Sequence, residues 1–190
     1  MKEHGSADAQ EVVVEADRPL ALLIDPPLTP ELRQDLVRMW VAVTNAGGAV
    51  GFLPPITQGQ VEPVATALFE RLAGGMDHLV IARDGDVLVG WVILERNTEP
   101  IVAHWAWVKR LQVDPRRQNR GVGRALMGAV HALARHQLGL EQLYLIARSN
   151  AGLDTFYAGL GYREVGRMPR NLRVAVGDER DEIYMVLEPL

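Results

Sequence analysis

The sequence predicts an α/β domain: a mixed central sheet of about six to seven strands flanked by helices. Three observations carry this. Apolar residues alternate between strand-like and helix-like spacing in the order β-α-α-β-β-β-α-β-α-β-β. The chain has 190 residues, of which 48% are hydrophobic and 23% charged, enough for one substantial core. The turn Gln118-Asn119-Arg120-Gly121-Val122-Gly123 joins a strand-like run to a long amphipathic stretch.

Taken in order, residues 1–10 are polar and read as a disordered tail, leaving 11–190 for the folded domain. Val12, Val13 and Val14 form a short apolar run, and residues 20–25 read as the first strand. Thr29 offers a helix N-cap with Pro30 at the first helical position. Leu32, Leu36, Met39, Trp40 and Val43 then hold helical spacing to about Asn45. Residues 46–55 contain three glycines and two prolines, so they form a loop, of a kind that often borders ligands. A second helix carries Val61, Ala65, Leu68 and Leu72 on one face and stops at Gly74-Gly75.

Residues 78–82 and 87–94 read as a hairpin around Asp84-Gly85-Asp86. After a turn at 97–100, residues 101–113 read as one long strand. Its imperfect alternation suits a central strand covered on both faces and carrying a bulge. Val122, Leu126, Ala129, Val130 and Leu133 then mark a helix to about Gln137, with Gly139 closing it. Residues 143–147 are the next strand, and Asn150 is placed to cap a short helix over 151–160. Residues 162–167 and 183–187 give the last two strands, joined by a polar loop rich in arginine and aspartate.

The net charge of −4 and pI near 5.7 argue against a general nucleic-acid binder. Arg116, Arg117, Arg120 and Arg124 nevertheless gather around the glycine turn. There is no cysteine, hence no disulfide and no thiolate metal site, which suits a cytoplasmic protein. No apolar run approaches the roughly 18 residues of a membrane span, and the first ten residues lack a signal-peptide core. On its own, the glycine turn reads two ways: a phosphate cradle at the positive end of a helix, or a plain connector. A dinucleotide-binding reading fails because Leu126 occupies the place of the third glycine. Nothing in the sequence marks a metal site, a serine triad or a P-loop.

Four segments resemble the GNAT N-acetyltransferase superfamily: Leu111-Gln112-Val113-Asp114-Pro115, the glycine turn, Asn150 followed by Phe156-Tyr157, and Gly159-Leu160-Gly161-Tyr162. They lie within about residues 102–168, and the element order agrees along nearly the whole chain. Gly47-Gly48-Ala49-Val50-Gly51-Phe52 and Val165-Gly166 followed by Pro169 are similar to tabtoxin resistance acetyltransferases. Trp107 and Ile146 stand where acidic residues would be expected in that subfamily.

The resemblance implies acetyl-CoA as co-substrate, no metal, and fourth and fifth strands that splay apart. Amides of Gln118, Asn119, Arg120, Gly121, Val122, Gly123 and Arg124 would cradle the CoA pyrophosphate. The backbone of Leu111, Gln112 and Val113 would pair with the pantetheine arm. Asn150 and Phe156 would border the cofactor, and Tyr157 would donate a proton to the departing thiolate. The general base is left open among Glu95, His104, Asp181, Glu182 and ordered water. The Gly47 to Pro55 loop, with Trp105 and Trp107, would form the acceptor pocket, one tryptophan at least serving as core. The partner implied is a small-molecule amine, with no nucleic acid and no membrane; a homodimer is compatible. The alternative is a CoA-binding regulatory or scaffold module of the same fold without turnover.

Overall fold

A computed structural model describes residues 20–190. The proposed tail over 1–10 and the valine run at 12–14 lie outside the described residues. Seven strands form one sheet in the order β1-β2-β3-β4-β5-β7-β6: β1 Ala21–Ile24, β2 Asp77–Asp84, β3 Val87–Arg96, β4 Trp105–Val113, β5 Gln142–Arg148, β6 Arg163–Ala175 and β7 Asp178–Leu187. Neighbours run antiparallel except β4 and β5, which are parallel. Helices α1 Pro30–Asn45 and α2 Gln58–Ala73 cover one face of the sheet, and α3 Val122–His136 covers the other.

Each helix follows from its sequence. The Thr29 hydroxyl accepts from the Leu32 amide and Pro30 opens α1, whose apolar stripe, with Trp40 at its centre, is buried. In α3, Val122, Leu126, Met127, Val130, Leu133 and Ala134 are all buried against β2, β3 and β4. Burial of each large side chain there is worth roughly 1.5–3 kcal/mol.

The β4–β5 pairing is short. It holds only over Trp105 to Trp107 against Gln142 to Tyr144, after which the strands part as expected. On the other side, β4 stays paired with β3 through a bulge: Lys109 faces Ile93 and Gln112 faces Trp91, so Arg110 and Leu111 share one position. Arg110 takes up the extra residue at φ +56°.

Four expectations are corrected. β4 begins at Trp105, not 101, because Pro100–Val102 is a 3-10 turn whose Val102 carbonyl accepts from the Asn97 side chain. His104 therefore sits in an exposed turn before the strand, rather than on it. Helix α4 is Leu153–Ala158, shorter than 151–160; its N-cap is Gly152 at φ +66°. Asn150 is itself left-handed at φ +59°, whereas a side-chain cap requires extended backbone. Finally, the supposed arginine- and aspartate-rich loop is paired strand: β6 and β7 run as a long, bulged ribbon closed at Val176-Gly177. It lacks apolar alternation because its outer part is held by cross-strand charges, Arg167 with Asp181 and both Arg170 and Arg173 with Glu179.

Gly90 marks a close approach of β3 to α3. A Cβ there would lie 2.8 Å from the Gln112 carbonyl and 2.9 Å from Leu126. Gly90→Ala is expected to cost about 1–3 kcal/mol in urea unfolding, since backbone is hard to displace. An unchanged midpoint would contradict this packing.

Candidate active site

The parted ends of β4 and β5 open a cleft of about 790 Å³. One wall is β4 from Trp107 to Val113 and the other is the end of β5 with α4; the turn into α3 closes one end and the loop after α1 the other. The turn is braced from outside. Asp114 accepts from the Arg116 amide and side chain, Arg117 pairs with Asp84 at 3.0 Å, and the Gln118 amide group donates to the Val113 carbonyl. Asn119 at φ +61° and Gly121 at φ +82° then turn the backbone through the left-handed region into α3. No side chain caps α3, so its leading amides, those of Val122, Gly123 and Arg124, have no helical acceptor. This end of α3 carries partial positive charge and a concave run of N–H groups, which suits an anion.

Gly123 lies on the cleft wall with Phe156 and Val113 at ordinary contact distance, 3.5 and 3.7 Å from a would-be Cβ. Nothing within the chain forbids a small side chain there. Its bare backbone leaves this part of the cleft wall open to a close approach from the cleft side.

Of the residues expected to hold CoA, Leu111, Val113, Gln118, Asn119, Gly121, Val122, Gly123, Arg124 and Phe156 border the cleft, as does Tyr157. Arg120 is exposed beside it, and Asn150 lies behind, its carbonyl accepting from Arg180. Gln112 is buried on the α1 side, across from Trp91, with neither side-chain amide atom hydrogen-bonded. Arg124 reaches across to the Gly159 carbonyl at 3.4 Å.

Tyr157 is held edge-on to Phe156 and Tyr162, at ring separations of 5.1 and 5.9 Å. Burial pushes its phenol up to about 12, because the phenolate would lose its hydration. It is therefore a neutral donor throughout the physiological range.

None of Glu95, His104, Asp181 or Glu182 borders the cleft. Glu95 is bound by Lys109 at 2.5 Å, and Asp181 by Arg167 and the Arg170 amide. Glu182 accepts from Asn171, and His104 lies at the far end of β4.

The loop after α1 is tightly anchored. The Trp40 indole donates to the Val50 carbonyl at 2.9 Å, and Asn45 bonds both backbone groups of Ile56. Arg148 on β5 donates to the Gly47 carbonyl at 2.8 Å, tying the loop to the end of β5. Residues 47–51 border the cleft, whereas 52–55 do not. Trp107 borders it too; Trp105 packs instead against Tyr144 at 4.9 Å, and both tryptophans are half-buried rather than core.

Sequence reading missed Arg110 and Arg148. The signal for Arg110 was present: a charged residue at an even position of β4, where Ala106 and Val108 are core, demands a bulge. Arg148 carried none, since an arginine ending a strand is ordinary.

Two phenol-specific outcomes follow. Absorbance titration of wild type against Tyr157→Phe should show the missing phenol ionising near 12 rather than at the ordinary 10.0. Because the folded value is the higher, Tyr157 stabilises the fold fully below the unfolded value and loses that contribution as pH rises towards 12. Ionisation at the ordinary value in the folded protein would contradict its burial.

Comparison with known proteins agrees with this geometry. Residues 75–164, from β2 to the start of β6, match the family model described as an Acetyltransferase (GNAT) domain. The N-alpha-acetyltransferase RimI of Mycobacterium tuberculosis (strain ATCC 25618 / H37Rv) is 34% identical over 120 residues, covering 62% of this chain and 72% of that protein. Among solved structures, yncA from Salmonella typhimurium with its cofactor acetyl-CoA superposes with a TM-score of 0.70 at 15% identity, covering 89% of this chain and 93% of that one. The ribosomal-protein-S18-alanine N-acetyltransferase from Escherichia coli gives 0.64 at 19% identity, covering 89% and 94%. At such identities the structural likenesses show the fold alone. The family match and the RimI relative go further: this chain belongs to the GNAT acetyltransferase family.

Proposed function

We propose that the cleft moves the acetyl group of acetyl-CoA directly onto an amine of a small molecule. One observation carries this reading: the unpaired edge of β4 leads, through the turn over 114–121, to the uncapped amides of α3. The first offers main-chain groups to the amide-bearing pantetheine arm, as an added strand would use them. The second offers N–H groups to the pyrophosphate. Arg124 supplies a cation at the phosphate end.

In the reaction, the amine nitrogen attacks the thioester carbonyl and a tetrahedral centre forms, its oxygen receiving a β4 amide. The C–S bond then breaks. Tyr157 donates its proton to the departing sulfur, which a buried phenol still holds at neutral pH, and the phenolate is restored by the proton that the former amine nitrogen releases as the amide forms. The amine must arrive neutral, yet among the described residues no carboxylate borders the cleft to act as base. Its cationic lining supplies an alternative. One uncompensated positive charge about 6 Å from an ammonium, at an effective dielectric near 20, disfavours it by roughly 3 kcal/mol, or about two pKa units. Water can then take the proton.

The lack of a lining carboxylate among the described residues also favours a second reading, a CoA-binding module without turnover. Thiol release separates the two. Gly123→Trp is expected to abolish CoA binding in calorimetry while the fold is retained; normal affinity would sink the account of the turn. Tyr157→Phe is expected to lower kcat by about 10²–10⁴-fold with CoA affinity nearly intact. Unchanged turnover would remove Tyr157 as the acid, and tight CoA binding without turnover of any amine would favour the binding module.

A further inference from the structure

Among the described residues, five cations border the cleft, Lys109, Arg110, Arg117, Arg124 and Arg148, and no aspartate or glutamate does. Two are neutralised by neighbours behind the wall, Lys109 by Glu95 and Arg117 by Asp84. Arg124 stands at the α3 end, with the phosphates of the proposed cofactor. Arg110 and Arg148 remain. They stand at the other end, beside the loop after α1, and neither forms an ion pair among the described residues.

Both are held in place without being neutralised. The Arg110 guanidinium lies 4.4 Å from the centre of the Trp40 ring, and its Nη1 is 3.5 Å from the Val50 carbonyl oxygen. Arg148 donates to Gly47. Carbonyls and an indole face answer a cation only in part. Desolvation holds both guanidinium pKa values below the ordinary one. The nearby carboxylates are already engaged. Glu95 is bound to Lys109, and Asp178, which feels Arg148, is bound by Arg180. Glu182, which faces Arg148 across the β5–β7 pair, turns to Asn171 and Tyr184. Arg180 adds a further positive charge near Arg148.

Two anchored, partly desolvated arginines without counter-charge are costly unless a ligand brings an anion. A guanidinium is also the side chain best shaped to take a carboxylate or phosphate through paired N–H groups. We propose that the acceptor amine carries an oxyanion, a carboxylate or a phosphate, which seats on Arg110 and Arg148. Trp107 and Ile146 give the apolar wall beside it. This rests on the acetyl-transfer reading and names the substrate class of the same cleft. The same charges disfavour polyamines, because a second ammonium would find no carboxylate among the described lining residues.

The test is thiol release at saturating acetyl-CoA with matched amines: α-amino acids against their primary amides, phosphoethanolamine against ethanolamine, with spermidine and an alanine-initiated peptide amide alongside. An anionic amine is expected to exceed its neutral partner by about tenfold or more in kcat/KM, as a charge-assisted contact would give. The two pairs tell carboxylate from phosphate. Arg148→Gln should erase most of that preference, Arg148→Lys should keep part of it, and CoA affinity should be unchanged in both. Equal or better turnover of a neutral amine, of spermidine or of the peptide overturns the proposal, as does a preference indifferent to Arg148→Gln. If no amine is turned over, calorimetry of the anionic amines with CoA present decides, and absence of binding overturns it. Failure of CoA itself to bind would instead overturn the acetyl-transfer reading.

Discussion

The structure depends on one local irregularity, the bulge that puts Arg110 into β4 at a positive φ. Ala106 and Val108 point into the α3 core, so unbroken alternation would send Arg110 there as well. An unpaired guanidinium among those side chains would cost several kcal/mol. The extra residue turns Arg110 to the opposite face, onto Trp40, and returns Leu111 and Val113 to the α3 side. In the same stretch β4 leaves β5. A parted pair would ordinarily expose a hazardous free edge. Here the edge faces a cleft closed by α4, the α3 turn and the anchored loop after α1.

Charge is distributed with the same economy. The α3 end combines free amides with Arg124, and the loop end holds Arg110 and Arg148, so both ends of the cleft favour negative charge. Between them Tyr157 stays neutral because burial resists its ionisation. Such a site suits a reaction that receives an anionic carrier and expels a thiolate. On the proposed reading, the amine would react there as the neutral nucleophile.

Much of this was legible in the sequence, and what was missed has physical causes. Helix α3 announced itself through its apolar stripe, and the glycine turn through residues that tolerate left-handed backbone. The parted strands were expected from family resemblance, since no periodicity encodes a separation. The β6–β7 ribbon was read as a loop because charge pairs, rather than alternating apolar residues, hold its outer part. Asn150 looked like a cap by composition, but its own left-handed backbone rules that out. The loop after α1 read only as a glycine- and proline-broken connector bordering a ligand site. Trp40, Asn45 and Arg148 anchor it through contacts about 10, 11 and 101 residues apart, and the last of these no local pattern can reveal.

On the proposed reading, the β4 edge and the α3 amides together form the binding surface for CoA. Residue-resolved amide hydrogen exchange, with and without CoA, tests it most directly. Amides along residues 111–113 and 122–124 should gain protection on CoA addition, while β1 and β2 stay unchanged. Binding of CoA without protection of either segment would contradict the account.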